Sequence, residues 1–497
     1  MSDSVKVILN PLGEVIQVIC GTPLVDVLHP YGIEFPCGGK GSCGGCQVKI
    51  LRGELGMSKQ HDSQAAKRKL SADKRLACMC YVQEDVVLEI AQYESIFLAD
   101  STEFEFSPQP GYGIAIDVGT TTVIGQLMSL SDGKIRNTRS ILNSQSKHGA
   151  DIMSRIEFAV HQRGAEILNQ LIRKDIGTLV QDLTSGSQIH CSKIVMVGNN
   201  VMQHILGNFD LTGLSMYPFE SVKHEFCTFT PDQLNIENHP DCNITFYPAI
   251  GSFIGSDILA GIISTGMDRS SGNTVLIDLG TNGEICVGNR DRIVCASTAA
   301  GPAFEGTNIT MGMTAATGAI SSLFYEDNLI KCHTIGNISP RGICGSGLID
   351  AIALYHESGV LDPSGKIIDQ SDSIILEGEV FLTQKDIYEF LLAKSAIASG
   401  IEILCRELNI TKDDIGEVFI AGAFGNFINL ENANKVGLVD FPVRKTIRRG
   451  NTALIGAKMA LFQDPVEWLR TLQKCQHLSL ESFADFQDLF VSKMFLT

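Results

Sequence analysis

"GYGIAIDVGTTTVIGQLMSL" at residues 111–130 and "GNTVLIDLGTNGEICVGN" at residues 272–289 follow one pattern. Each begins as a continuous apolar run, reaches Asp-x-Gly-Thr, and resumes as a second apolar run. A short apolar run bounded by turn residues reads as a buried strand, so each copy is a strand–turn–strand hairpin. Glycine lets the turn backbone approach a phosphate closely, and the Thr hydroxyls and N–H groups supply donors. An Asp at the strand end suits a magnesium ion held through water, because Mg2+ keeps its waters. Repetition at domain scale predicts two similar α/β subdomains. The candidate nucleotide residues are Asp117, Gly119, Thr120, Thr121 and Thr122 in the first copy, and Asp278, Gly280, Thr281, Asn282, Gly283 and Glu284 in the second. Glu284 is a candidate to orient the attacking water or the magnesium, with a structural role as the alternative. "IAGAFGNF" at 420–427, a strand ending in a glycine turn, adds Gly422, Ala423, Phe424 and Gly425.

The chain has 497 residues, enough for roughly three or four compact units. Hydrophobic residues make up 44% and charged residues 19%, the profile of a folded protein. With 39 basic and 56 acidic residues the net charge is −17, which argues against nucleic-acid binding and against an anionic membrane surface. No apolar run approaches the ~20 residues of a membrane span, and no signal peptide is apparent. Most of the 15 cysteines lie singly in apolar segments, among them Cys191, Cys286, Cys295 and Cys405, and read as buried thiols of a cytoplasmic protein.

The N-terminal 90 or so residues are a small β-rich module. Two alternating strands flank a Pro-Leu-Gly turn, and a helix-like stretch leads into "CGGKGSCGGCQVKI" (37–50). Its cysteines are spaced Cys37-x5-Cys43-x2-Cys46, with Cys78 and Cys80 following in "RLACMCYV". A zinc knuckle presents two Cys-x2-Cys pairs or matched histidines, and no second pair occurs here. The glycines permit the close wrapping a 2Fe-2S cluster needs. Zinc remains the rival metal, and Cys80 the rival of Cys78. Residues 93–111 read as a linker.

The cysteine pattern resembles the adrenodoxin-like and putidaredoxin-like 2Fe-2S ferredoxins, a β-grasp (α+β) fold, and the resemblance assigns Cys37, Cys43, Cys46 and Cys78 as ligands. The two hairpins with "IAGAFGNF" resemble the actin-like ATPase superfamily of sugar kinases and heat-shock chaperones, matching its phosphate-1, phosphate-2 and adenosine motifs. Together with "GNNVMQHILG", "ASTAAGPAFEG", "GICGSGLID" and "AKSAIASGI", the chain resembles the reductive activators of corrinoid proteins, including the activating enzymes of O-demethylases and other methyltransferases. This implies a ferredoxin domain at 1–92, a linker at 93–111, and ATPase subdomains at 112–272 and 273–497. It implies a 2Fe-2S cluster, ATP and Mg2+ as cofactors, and ATP-dependent transfer of one electron to cobalt(II) to regenerate cobalt(I). The implied partners are a corrinoid protein, an upstream low-potential electron donor and a second copy of the chain in a homodimer. Ser297, in the glycine-flanked loop before "AAGPAFEG", is the candidate for touching the corrinoid. A separate middle domain is expected to be reduced or absent. The single cysteine in the last 90 residues, Cys475, excludes the branch with a C-terminal four-iron run. Alternatives are an activator of the 2-hydroxyacyl-CoA dehydratase type and a small-molecule kinase with an accessory ferredoxin.

Overall fold

The computed structural model describes residues 4–10, 14–28, 46–67, 70, 73–89, 104–185, 189–280, 282–298, 300–315, 318–327, 329–335, 338–368, 371–422, 425 and 427–497. The N-terminal module contains β1 (Ser4–Asn10), β2 (Glu14–Ile19), α1 (Leu24–Leu28), β3 (Gln47–Arg52), β4 (Leu55–Met57), α2 (His61–Lys67), β5 (Lys74–Leu76), β6 (Cys80–Val82) and β7 (Val86–Glu89). Its main sheet runs β2-β1-β7-β3-β5, with β1 and β7 parallel. Alternation along β1 buries Val5, Val7 and Leu9, and α1 closes the core with Leu24, Val27 and Leu28.

The first hairpin lobe contains β8 (Tyr112–Val118), β9 (Thr122–Ser129), β10 (Ile135–Leu142), α3 (Ile152–His161), α4 (Ala165–Thr184), β11 (Cys191–Gly198), α5 (Asn200–Gly207), β12 (Cys227–Phe229), β13 (Asn243–Phe246) and α6 (Ser256–Thr265). The second contains β14 (Asn273–Leu279), β15 (Gly283–Gly288), β16 (Ile293–Thr298), β17 (Ala319–Glu326), β18 (Leu329–Thr334), β19 (Gly342–Ile343), α7 (Gly345–Glu357), β20 (Ser373–Glu377), β21 (Val380–Thr383), α8 (Gln384–Glu407), β22 (Ile415–Ala421), α9 (Leu430–Lys435) and β23 (Thr446–Gly450). Beyond these follow α10 (Thr452–Ala460), α11 (Pro465–Leu472), β24 (Cys475–His477) and α12 (Phe486–Ser492).

The duplication is explicit in the sheets. One runs β10-β9-β8-β11-β13-β12 and the other β24-β16-β15-β14-β22-β23; they share an antiparallel β-meander of three strands followed by two parallel strands, and β12 and β24 are added at opposite edges. In the first lobe α4 and α5 cover one face of the sheet. Its other face, with Ala115, Val195, Val197 and Tyr247, packs under α6, α10 and Trp468 of α11. Helix α6 also packs against the second lobe through Ile258 and Ile262, so α6 and α10 form the spine between the lobes. Gly456 permits their contact: a Cβ there would lie 2.5 Å from the Ala260 carbonyl oxygen. In the second lobe α8 and α7 cover the sheet. Helix α8 starts at a capping box in which Thr383 Oγ1 accepts from Asp386 N (3.2 Å) and Asp386 Oδ2 accepts from Thr383 N (2.8 Å). Of the linker, residues 104–111 are described, and Phe104 and Phe106 pack their rings 5.8 and 4.7 Å from Phe462.

Candidate functional site

The turn after β8 is strapped from behind. Asn143 donates from Nδ2 to the Gly119 carbonyl (3.0 Å) and from its backbone N to the Thr121 carbonyl (2.8 Å). Arg155, fully buried, donates from Nη2 to the Thr120 carbonyl (2.5 Å). In a planar trans peptide the carbonyl and the following N–H point in opposite directions. With the carbonyls of Gly119 and Thr120 held on one side, the N–H groups of Thr120 and Thr121 face the other, where they can serve as donors to an anion. Asn199, which caps α5, donates to Thr120 Oγ1 (3.0 Å), and Gly119 N donates to Thr122 O (3.1 Å).

Asp117, at the end of β8, accepts from Asn451 Nδ2 (2.8 Å), while Asn451 Oδ1 caps α10 at Leu454 N. Burial pushes the Asp117 carboxyl up to about 6, against the pull of that hydrogen bond. Asp278, on β14, is pushed up to about 7 by burial and by the charge of Asp117. Glu284 is pushed well up by burial and by Asp257 and Asp278, with Asn282 bonding it in the opposing direction. Asp257, in the first turn of α6, is pushed up to about 7 by burial and by Asp117. The sequence reading missed Asp257 and Asn451. Their signal is faint: an acid just after a glycine at an apolar helix start, and an Asn before another.

Four closely set, half-buried carboxyls that repel one another favour a cation among them. A donor set made of carboxylates alone fits Mg2+ held through its waters.

Register aligns the second half of the site. Ala421, Asp278, Glu284 and Ser297 are successive cross-strand partners on β22, β14, β15 and β16. Directly paired residues share a face, so the side chains of Asp278, Glu284 and Ser297 form one row, about 10 Å from first to last at the usual strand spacing. Gly280 N donates to Asn282 O (3.1 Å) and Thr298 Oγ1 to Gly283 O (3.0 Å), which fixes the hairpin. Gly422 has φ +88°, and a Cβ on it would lie 2.9 Å from Asp278 Oδ1. Its N donates to Gly450 O (3.0 Å) and its carbonyl accepts from Gly425 N (3.1 Å). Thr281, Ala423 and Phe424 lie outside the described residues. Ser297 lines a small cleft of about 100 Å³ with Phe219, Glu220, Ser252, Phe253 and His477, contributed by both lobes.

In the N-terminal module Cys37 and Cys43 lie outside the described residues. Cys46 and Cys78 are brought together by the pairing of Gln47 with Leu76 and by Ala77 N donating to Cys46 O (2.9 Å). Cys78 sits half-buried on the single-turn helix Ala77–Met79, whereas Cys80 points into the module core on β6, where burial pushes its thiol up to about 12. The pairing and the half-buried position of Cys78, outside the core that holds Cys80, fit a cluster shared by Cys46 and Cys78. Cys191, Cys286, Cys295 and Cys405 are buried and unbridged. His204 is buried with Nδ1 2.8 Å from the Asn200 carbonyl, and His148 stacks on Phe158, both packing roles.

Three family models match in succession: a 2Fe-2S iron-sulfur cluster binding domain at 7–83, the RACo middle region at 112–270, and the C-terminal ASKHA domain of RACo at 272–497. The middle-region match corrects the expectation that this part is reduced or absent: it coincides with the first hairpin lobe. Corrinoid activation enzyme RamQ of Eubacterium limosum is 35% identical over 390 residues, 71% of this chain and 65% of its own length. A Methanosarcina barkeri reductase of the Co(II) methylated amine-specific corrinoid protein is 25% identical over 77% of this chain and 76% of its own. A solved structure, a reductive activator for corrinoid, iron-sulfur protein, matches at TM-score 0.70 and 26% identity, covering 99% of this chain and 98% of that one. Among the described residues no helix is long and apolar enough to cross a membrane.

Proposed function

The chain belongs to the RACo family, with a 2Fe-2S ferredoxin domain ahead of an ATP-binding ASKHA domain, and from that premise we propose that it is an ATP-dependent reductive activator of a corrinoid protein. The reaction passes one electron to inactive cobalt(II) and returns it to cobalt(I), in service of a methyltransferase or O-demethylase. The observation that carries this reading is the succession of the three domains in a chain 35% identical to a corrinoid activation enzyme.

Cys37, Cys43, Cys46 and Cys78 hold the cluster, which supplies single electrons near about −400 mV in the plant-type case. Each ~59 mV of mismatch with a lower-potential acceptor costs a factor of ten in a one-electron equilibrium. ATP binding therefore has to favour the state of the complex in which cobalt accepts. The Thr120 and Thr121 N–H groups receive phosphate. Asp117, Asp257 and Asp278 would hold Mg2+, which would neutralise phosphate charge, and Glu284 would orient the attacking water. Gly422 and Gly425 would border the nucleoside. Ser297, on the row of Asp278 and Glu284, offers its hydroxyl to the corrinoid. An external low-potential donor reloads the module, and a cytoplasmic homodimer is the assembly we expect.

The test mixes reduced protein, a cobalt(II) corrinoid protein and MgATP without oxygen. Cobalt(I) absorbance is expected to develop with ATP and not without it. Equal development in both, or none in either, overturns the proposal.

A further inference from the structure

Two ion pairs join the electron-donor module to the rest of the chain. Lys147 Nζ lies 3.0 Å from Asp26 Oδ1, and Arg341 Nη2 lies 2.9 Å from Glu89 Oε1. Among the described residues no other ion pair links 4–89 to the lobes. The two cations belong to different lobes. Lys147 ends the single-turn helix Ser144–Lys147 of the first, and Arg341 immediately precedes β19 of the second.

Each anchor is tied to rigid structure. The turn carrying Lys147 starts at Asn143, the residue that grips the Gly119 and Thr121 carbonyls of the phosphate turn. Ser144 is pinned by Asp175 through both its N and its Oγ (2.8 Å each), and Gln145 accepts from Arg155, which also holds Thr120. Arg341 N donates to Gly318 O (2.8 Å), beside β17. On the module side, Asp26 rides on α1, which packs with Ala77 and Met79 on either side of Cys78, and Glu89 ends β7.

We infer that Lys147 and Arg341 are positioning residues that park the chain's own electron-donor module across both lobes of the ATPase. Both pairs close together at one lobe separation. A change in that separation on nucleotide binding stretches at least one of them and frees the module to carry its electron elsewhere. All four side chains are partly exposed, between 28% and 53%, so the dock is screened by salt and reversible. This deepens the activator reading and rests on it for its purpose, but the dock is measured without any corrinoid.

The experiment uses the full-length holoprotein and small-angle X-ray scattering, with the cluster's visible spectrum as the check on folding. A compact chain of this length has a radius of gyration of about 23 Å, and a compact dimer of it about 30 Å; in either assembly releasing the module raises the radius by roughly a tenth. The wild type is expected to be compact without nucleotide and expanded with a non-hydrolysable MgATP analogue. It is also expected to expand in ~1 M salt, where the Debye length is about 3 Å. The K147E/R341E variant is expected to be expanded throughout with its cluster spectrum intact. Reversing the module's charges as well, with D26K/E89K, is expected to restore compaction at low salt. Equal radii for wild type and K147E/R341E, or an expanded variant that the reversal leaves expanded, overturns the dock. Failure of the cobalt reduction assay, with these radii as expected, overturns the activator reading alone.

Discussion

Replacing Asp278 with Asn should strengthen the fold while destroying the site. A buried acid whose folded pKa is raised contributes stability that is fully present below its unfolded pKa and is lost as pH rises through the folded one. For Asp278 that window runs from 3.8 to about 7. The rise from 3.8 to about 7 corresponds to a loss of at most about 4 kcal/mol by pH 8, an upper figure because Asp117 shares the repulsion and water reaches the half-buried carboxyl. Asn keeps the shape and carries no charge, so in EDTA at pH 8 the variant should gain up to about 4 kcal/mol, and roughly half of that at pH 5.5. Wild type should gain about 2.7 kcal/mol from MgATP at a hundred times its dissociation constant, and the variant close to nothing. Urea unfolding followed by the fluorescence of Trp468, the chain's one tryptophan and fully buried, reads both effects. A variant no more stable than wild type in EDTA at pH 8, or one still stabilised by MgATP, would refute the reasoning.

Cys78→Ser should abolish the visible absorbance of the cluster and Cys80→Ser should preserve it; the reverse outcome makes Cys80 the fourth ligand. Asn451→Ala should cost about 1 kcal/mol through the lost cap of α10. It should also move the acid limb of the ATPase pH profile upward, since Asn451 holds the Asp117 pKa down; an unmoved limb tells against that role. Ser297→Ala should slow ATP-dependent cobalt(I) formation in a stopped-flow trace while leaving the cluster spectrum and ATP binding unchanged, and wild-type kinetics would remove Ser297 from the reaction.

The hairpins were legible because a buried strand, a glycine turn and a second strand form a local signal, and their repetition predicted two matching sheets. Asp257 and Asn451 were not. Each acts by reaching Asp117 or its neighbours from a different element, at sequence separations of 140 and 334, and nothing local in "GSDILAG" or "GNTALIG" announces a partner so far away. The shared row of Asp278, Glu284 and Ser297 is likewise a product of strand register, which fixes neighbours only once the sheet exists. The middle region was misjudged because it contributes a lobe of the ATPase and has no separate fold to recognise.

The cover that α10 and α11 place over the first lobe bears on the order of synthesis. The inner face of that lobe's sheet is made between Ala115 and Tyr247, but its lid spans Ala453 to Trp468. At ~5–20 residues per second, roughly 20–70 s pass between emergence of the first strand and of Trp468. For the last ~11–44 s of that interval, from Tyr247 to Trp468, a nascent chain presents Val195, Val197 and Tyr247 with α6 as their only cover, while the ferredoxin module ahead of it already has every residue it needs. The electron carrier is therefore ready before the engine that drives it, and a ribosome stalling near residue 450 would leave a half-built lobe with an apolar face for chaperones to shield.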